Sequence, residues 1–115
     1  MRLIYLAHPF GGDLANLIRA KAWLRWAALI ALEEGAFVVA PWIPLCEMFA
    51  GQDCSSPAFR AMMLNGDCEV VQRCDELWLC GSHVSDGMAQ ERDAALWHGK
   101  VVRDFTGKTL PSETA

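Results

Sequence analysis

The sequence predicts an α/β fold, a three-layer, Rossmann-like (flavodoxin-like) parallel sheet of four to five strands with helices on both faces. Three observations predict it. Short apolar runs stand at Leu3–Ala7, Phe37–Ala40 and Glu76–Cys80, as expected of strands, and the first is continuous enough for a strand covered on both faces. Stretches long enough for helices separate them, giving the order strand, helix, strand, helix, strand, helix, strand. Glycine, proline and polar clusters punctuate the junctions.

Each element has its own signal. Leu3–Ala7 reads as a central strand, broken by His8-Pro9-Phe10-Gly11-Gly12. Asp13 is a natural N-cap for a helix from Leu14 to Glu34, and Gly35 a natural residue just beyond its end. After Arg25 this helix is apolar nearly all round, which a lone surface helix would not be. Its second half, with Trp23 and Trp26, is expected to serve a second subunit, so a homodimer or larger is predicted. Phe37–Ala40 is the second strand, closed by Pro41. Trp42 to Pro57 reads as a long irregular stretch, a candidate lid or binding loop. Ala58 to Arg73 is a helix weakened at Asn65-Gly66. Glu76–Cys80 is the third strand, Gly81–Asp86 a polar loop, Gly87–His98 the third helix and Val101-Val102 a last short strand. Residues 1–105 form one domain and residues 106–115 a frayed tail. Parallel order with right-handed crossovers puts a ligand outside the carboxyl ends of the strands. Three segments follow strands there: His8–Gly12, Pro41 onward, and Gly81–Gly87.

Composition bounds the partners. A chain of 115 residues, 53% hydrophobic and 21% charged, holds a core without staples. The net charge is −4 and Lys and Arg are scattered, which argues against a nucleic acid polymer as partner. No secretory signal is visible, and Trp23–Leu32 is too short and too charged to span a membrane. The reading is cytoplasmic. Five cysteines, Cys46, Cys54, Cys68, Cys74 and Cys80, form an odd set and read as free thiols. The last three stand six residues apart, wider than the usual zinc pairs, so no metal is expected.

Several residues could carry chemistry. Glu91 shares a helix face with Met88, Ala94 and Ala95, the side expected to meet the sheet; the plain alternative is a solvated Glu beside Arg92 and Asp93. Asp67 follows Asn65-Gly66 and reads first as a surface residue at a helix irregularity. Asp75 reads as turn or cap chemistry. Tyr5, the one tyrosine, reads as core with its hydroxyl satisfied by a neighbour. Ser82, Ser85 and Gly87 precede a helix N-terminus, where backbone N–H groups can hold an anion. There is no complete GxGxxG, no P-loop and no nucleophile elbow for a triad with His8 or His83.

Taken together, "IYLAHPFGG", Asp67, "CDELWLCG" and "SDGMAQERDAALWHGKVV" resemble the nucleoside 2-deoxyribosyltransferase superfamily, which includes the 2′-deoxynucleoside 5′-phosphate N-hydrolases. The resemblance runs from Leu3 to about Val102 and is greatest to short, phage-type members of unassigned function. It implies a nucleoside or nucleotide as small-molecule partner. It implies that Glu91 matches the nucleophilic glutamate, kept ionised by its helix N-terminus, and attacks the anomeric carbon. It implies that Asp67 protonates the departing base and that Tyr5 orients the glutamate. Ser85 stands where the transferases tend to carry an aspartate and the monophosphate hydrolases a serine. The serine and arginine that the hydrolases carry in the first loop are replaced by His8–Gly12, leaving His8 and the backbone of Gly11 and Gly12 for a phosphate. Met88 completes the binding set with Ser82, Ser85 and Gly87. Hydrolysis is favoured over base exchange, and no cofactor is needed because carboxylates stabilise such a transition state. The alternative is a non-catalytic nucleotide-binding or interaction module on the same fold.

Overall fold

The computed structural model describes residues 1–49 and 56–110. Strands β1 (Arg2–Ala7), β2 (Ala36–Val39), β3 (Glu76–Leu79) and β4 (Val101–Asp104) form one parallel sheet in the order β2-β1-β3-β4. The helices are α1 (Leu14–Glu33), α2 (Trp42–Met48), α3 (Pro57–Arg73) and α4 (Asp86–Trp97). β1 is central, as its apolar run requires: Ile4, Tyr5, Leu6 and Ala7 are all buried, and so is every residue of β3.

The register sorts the two faces. Tyr5 pairs with Leu77 and Leu6 with Trp78, and neighbours along a strand point to opposite sides. The Trp78 ring meets Trp26 of α1 at 6.1 Å, whereas Tyr5 faces Asp67 of α3 and Glu91 of α4. Thus α1 covers one face and the packed pair α3 and α4 covers the other, as right-handed crossovers dictate.

Local chemistry sets the helix ends. The Asp13 carboxylate accepts from Ala15 N at 2.8 Å and caps α1, and Gly35 takes φ +71° just past its end. Ser56 caps α3, accepting from Phe59 N at 3.2 Å, with Pro57 at the first helical position, where its missing N–H costs nothing. The Asn65-Gly66 pair does not interrupt α3; one helical glycine costs only about 1 kcal/mol.

Three expectations are corrected. Trp42 to Pro57 is not one long loop, since Trp42–Met48 is helical. Pro44 lies in the first turn, where N–H groups lack helical partners anyway, and the Trp42 indole N–H anchors the turn by donating to Leu6 O at 3.0 Å. Cys54 falls outside the described residues. The tail is not frayed from its start: Gly107 N donates to Gly81 O at 2.9 Å and Leu110 is 2 % exposed. Trp23 and Trp26 do not form an exposed face. Trp23 is 6 % exposed, and Trp26 packs edge-on against Trp23 and Phe105. The exposed large apolar residues of α1 are Leu14, Ile18, Leu29 and Leu32. Among the described residues no helix is long and apolar enough to cross a membrane.

Candidate active site

β1 leads through α1 to one side of the sheet and β3 through α4 to the other, so the strand order reverses between β1 and β3. At this switch point the strand ends diverge and leave a crevice. Tyr5, completely buried, projects from β1 beneath it. Asp67 comes from the middle of α3 and Glu91 from α4, and the side-by-side packing of these helices brings both carboxyl groups to the Tyr5 hydroxyl.

The electrostatics of this trio are unusual. Glu91 is 7 % exposed. Burial pushes its carboxyl up to about 8, with the Tyr5 hydroxyl pulling it down and the Asp67 charge pushing it further up. Burial likewise lifts Asp67 to about 6, against the pull of Tyr5. The Tyr5 phenol is raised well above its ordinary value by burial, then by the two acids. Its hydroxyl lies close enough to favour both carboxylate anions, yet makes no hydrogen bond of good geometry among the described residues. It is therefore not satisfied by a neighbour as expected from the sequence. Nor does the helix N-terminus keep Glu91 ionised. Glu91 is the sixth residue of α4, beyond the first turn where the dipole acts, and that effect, about 2 kcal/mol at most even at a buried terminus, yields to desolvation.

Above the trio opens a cavity of about 500 Å³, within the range of small-molecule sites. Phe10, Trp42, Phe59 and Met63 supply an apolar and aromatic wall; Asn16, Arg60, His83 and Gln90 add polar groups near Asp67 and Glu91. Of the residues singled out in the sequence, His8, Gly11, Ser85, Gly87 and Met88 line this cavity with the two acids. Gly12 and Ser82 do not; Ser82 is exposed and its hydroxyl pairs with His83 Nδ1 at 2.8 Å. Ser85 caps α4, its oxygen accepting from Met88 N at 3.3 Å while its own N–H meets the Met88 sulfur at 3.4 Å. Among the described residues the Ser85 hydroxyl donates no hydrogen bond. Asp75 pins β3 to β1 by accepting from Leu3 N at 2.7 Å.

His8 is buried, with Nδ1 2.7 Å from Pro9 O. A carbonyl only accepts, so Nδ1 carries the proton and Nε2 is an acceptor, buried and unpartnered among the described residues. Burial lowers the imidazole pKa, in keeping with a neutral ring. Gly81 makes this fit possible. A Cβ there would lie 2.7 Å from Pro9 Cδ and 2.9 Å from His8 Nε2, and its φ is +101°.

Sequence reading passed over Arg60, Asn16, Trp42 and Phe59 as wall residues. The one signal for Arg60 was its position seven residues, two helical turns, before Asp67 on the same face. The thiols of Cys68, Cys74 and Cys80 are all raised by burial, Cys80 to about 12, so none is a ready thiolate. Among the described residues no three His, Cys, Asp or Glu side chains group as metal ligands.

Comparison with known proteins fits this geometry. The solved structure of a 2-deoxyribosyltransferase from the psychrotolerant bacterium Bacillus psychrosaccharolyticus is similar, with a TM-score of 0.54 and 25% identity over 96% of this chain and 78% of that one. No curated protein matches. Residues 2–105 match the family described as a domain of unknown function, DUF7768, and the chain therefore belongs to that family, on a nucleoside-processing fold that it shares with a 2-deoxyribosyltransferase.

Proposed function

We propose that the protein cleaves the N-glycosidic bond of a (deoxy)nucleoside or nucleoside 5′-monophosphate, with Glu91 as nucleophile and hydrolysis favoured over base transfer. One observation carries this reading: Asp67 and Glu91, far apart in sequence, line an aromatic-walled cavity at the carboxyl edge of the sheet, with Tyr5 buried beneath them. In the first step a Glu91 oxygen bonds to the anomeric carbon while the C–N bond breaks, its electron pair leaving with the base. Asp67 delivers a proton to that base. In the second step water attacks the anomeric carbon of the sugar ester, Asp67 takes the water proton, and Glu91 leaves as carboxylate. Tyr5 steadies the carboxylate whenever it is charged.

Burial gives this scheme a particular proton inventory. Burial raises both carboxyls, Asp67 to about 6 and Glu91 to about 8, so the pair holds a proton near neutral pH, and attack requires that proton on Asp67. An incoming sugar, developing positive charge beside Glu91, shifts the balance towards that arrangement.

The test is base release from deoxynucleosides and their monophosphates, followed by chromatography. Glu91→Gln keeps the shape and removes the nucleophile, so release should stop; unchanged turnover would rule out the covalent route. The upward shift of the Glu91 carboxyl, which disfavours the anionic nucleophile, favours a second reading, a non-catalytic nucleotide-binding module. Clear binding with no base release from any substrate would select it. The same proposal includes a homodimer or larger assembly through Leu14, Ile18, Leu29 and Leu32 of α1. A monomer mass by light scattering at micromolar concentration would count against that part.

A further inference from the structure

We infer that Arg60 sets the specificity of this site, holding the phosphate of a nucleoside 5′-monophosphate at the cavity mouth, so that the monophosphate and not the free nucleoside is the ligand class. This deepens the N-glycosidase reading and rests on it. Arg60 is the one Lys or Arg side chain among the described residues that lines the cavity. It is also uncommitted. Arg2, Lys21, Arg73 and Arg103 have carboxylate partners, while Arg60 has no ion pair or side-chain hydrogen bond among the described residues. The remaining charged wall is acidic: Asp67 and Glu91 at the floor, Asp86 at the start of α4. An exposed, unpaired guanidinium facing an acidic cavity suits a ligand whose reacting end turns positive and whose other end is anionic.

The spacing agrees. Arg60 and Asp67 share one face of α3 two turns apart, roughly 10 Å along its axis, with Arg60 nearer the helix start and so nearer the mouth. With the glycosidic nitrogen beside Asp67, a sugar and the length of the arginine side chain cover that span. Another place for a phosphate, the N-terminus of α4, already carries an acid. Asp86 is the first residue of that helix and exposed, and it would repel a second anion where backbone N–H groups would attract one. A guanidinium offers a phosphate two parallel charge-assisted hydrogen bonds, so Arg60 replaces the cation that the first loop lacks.

Calorimetric titration of the full chain with dTMP and thymidine, and with dGMP and deoxyguanosine, tests this. Wild type should bind each monophosphate about tenfold or more tighter than its nucleoside, the factor expected of hydrogen bonds to charged groups. Arg60→Gln should lose that factor and leave nucleoside affinity unchanged; Arg60→Lys should restore part of it. In base-release assays Arg60→Gln should raise KM for the monophosphate about tenfold with kcat within about twofold. Since Arg60 is exposed, the variants keep the fold, checked by circular dichroism. A preference for the monophosphate that survives in Arg60→Gln overturns the inference, as does wild type binding nucleosides equally well or binding none of the four compounds. Base release without a phosphate preference overturns the inference and leaves the N-glycosidase reading standing. An Arg60-dependent preference without base release does the reverse.

Discussion

Two glutamates, Glu76 and Glu91, are buried to the same 7 % exposure on opposite faces of one sheet, and they have opposite surroundings. On the α1 face, both oxygens of Glu76 are occupied: Arg2 Nε donates to one at 2.6 Å and the Trp78 indole to the other at 3.1 Å. Arg2 is shared in turn with Glu34, and the Arg103 guanidinium caps the Trp78 ring at 4.7 Å. On the α3 and α4 face, Glu91 has no cation among the described residues, only the dipole of Tyr5 and the repulsion of Asp67. A buried charge that is paired and hydrogen-bonded belongs to the architecture; one held without a partner, at the floor of a cavity, is available for chemistry.

The largest expected effect separates the two in activity. Glu91→Gln should lower base release by about 1000-fold or more, while Glu76→Gln, assayed at a temperature where it is folded, should stay within a few-fold. Equal losses would erase the distinction.

The site face also has the tighter backbone. Gly81→Ala places a Cβ against Pro9 and His8 at a positive φ and should cost about 3–4 kcal/mol. Thermal unfolding should show a fall in Tm of roughly 10–20 °C. A fall of only a few degrees would mean that the His8-Pro9 turn yields easily and does not shape the site.

Stability should move in opposite directions at the two glutamates. Between its ordinary value of 4.5 and about 8, folded Glu91 holds a proton that the unfolded chain releases. Its contribution is thus fully present below pH 4.5 and is lost as pH rises through that window. Glu91→Gln removes this loss and should stabilise the protein at pH 7 by on the order of 2–3 kcal/mol, with little gain at pH 4. Glu76→Gln should instead lower stability, because it removes the carboxylate charge that meets Arg2 at 2.6 Å. Chemical denaturation at both pH values checks the signs.

The smallest effect is the pH profile of base release. It should be bell-shaped, with limbs near pH 6 and pH 8 from the Asp67 and Glu91 pair, falling about tenfold per unit outside them. A single limb near pH 4 would show that Glu91 behaves as an ordinary carboxylate.

Much of this architecture is decided within short stretches of sequence. An apolar run such as Leu3–Ala7 has no stable place other than a covered strand. Asp13, Gly35 and Ser85 act at helix ends through their own backbone neighbours, and right-handed crossovers order the strands. Tyr5, Asp67 and Glu91 were legible as candidates through family resemblance, since their types and spacing survive in the chain itself. Tertiary structure decided the rest. The segment after Pro41 is helical because Trp42 reaches Leu6 O, a contact between residues 36 apart. Arg60 joins the cavity because α3 and α4 pack side by side. The Glu91 carboxyl is pushed up because protein replaces the water around it, and how much solvent a side chain loses depends on every element folded over it.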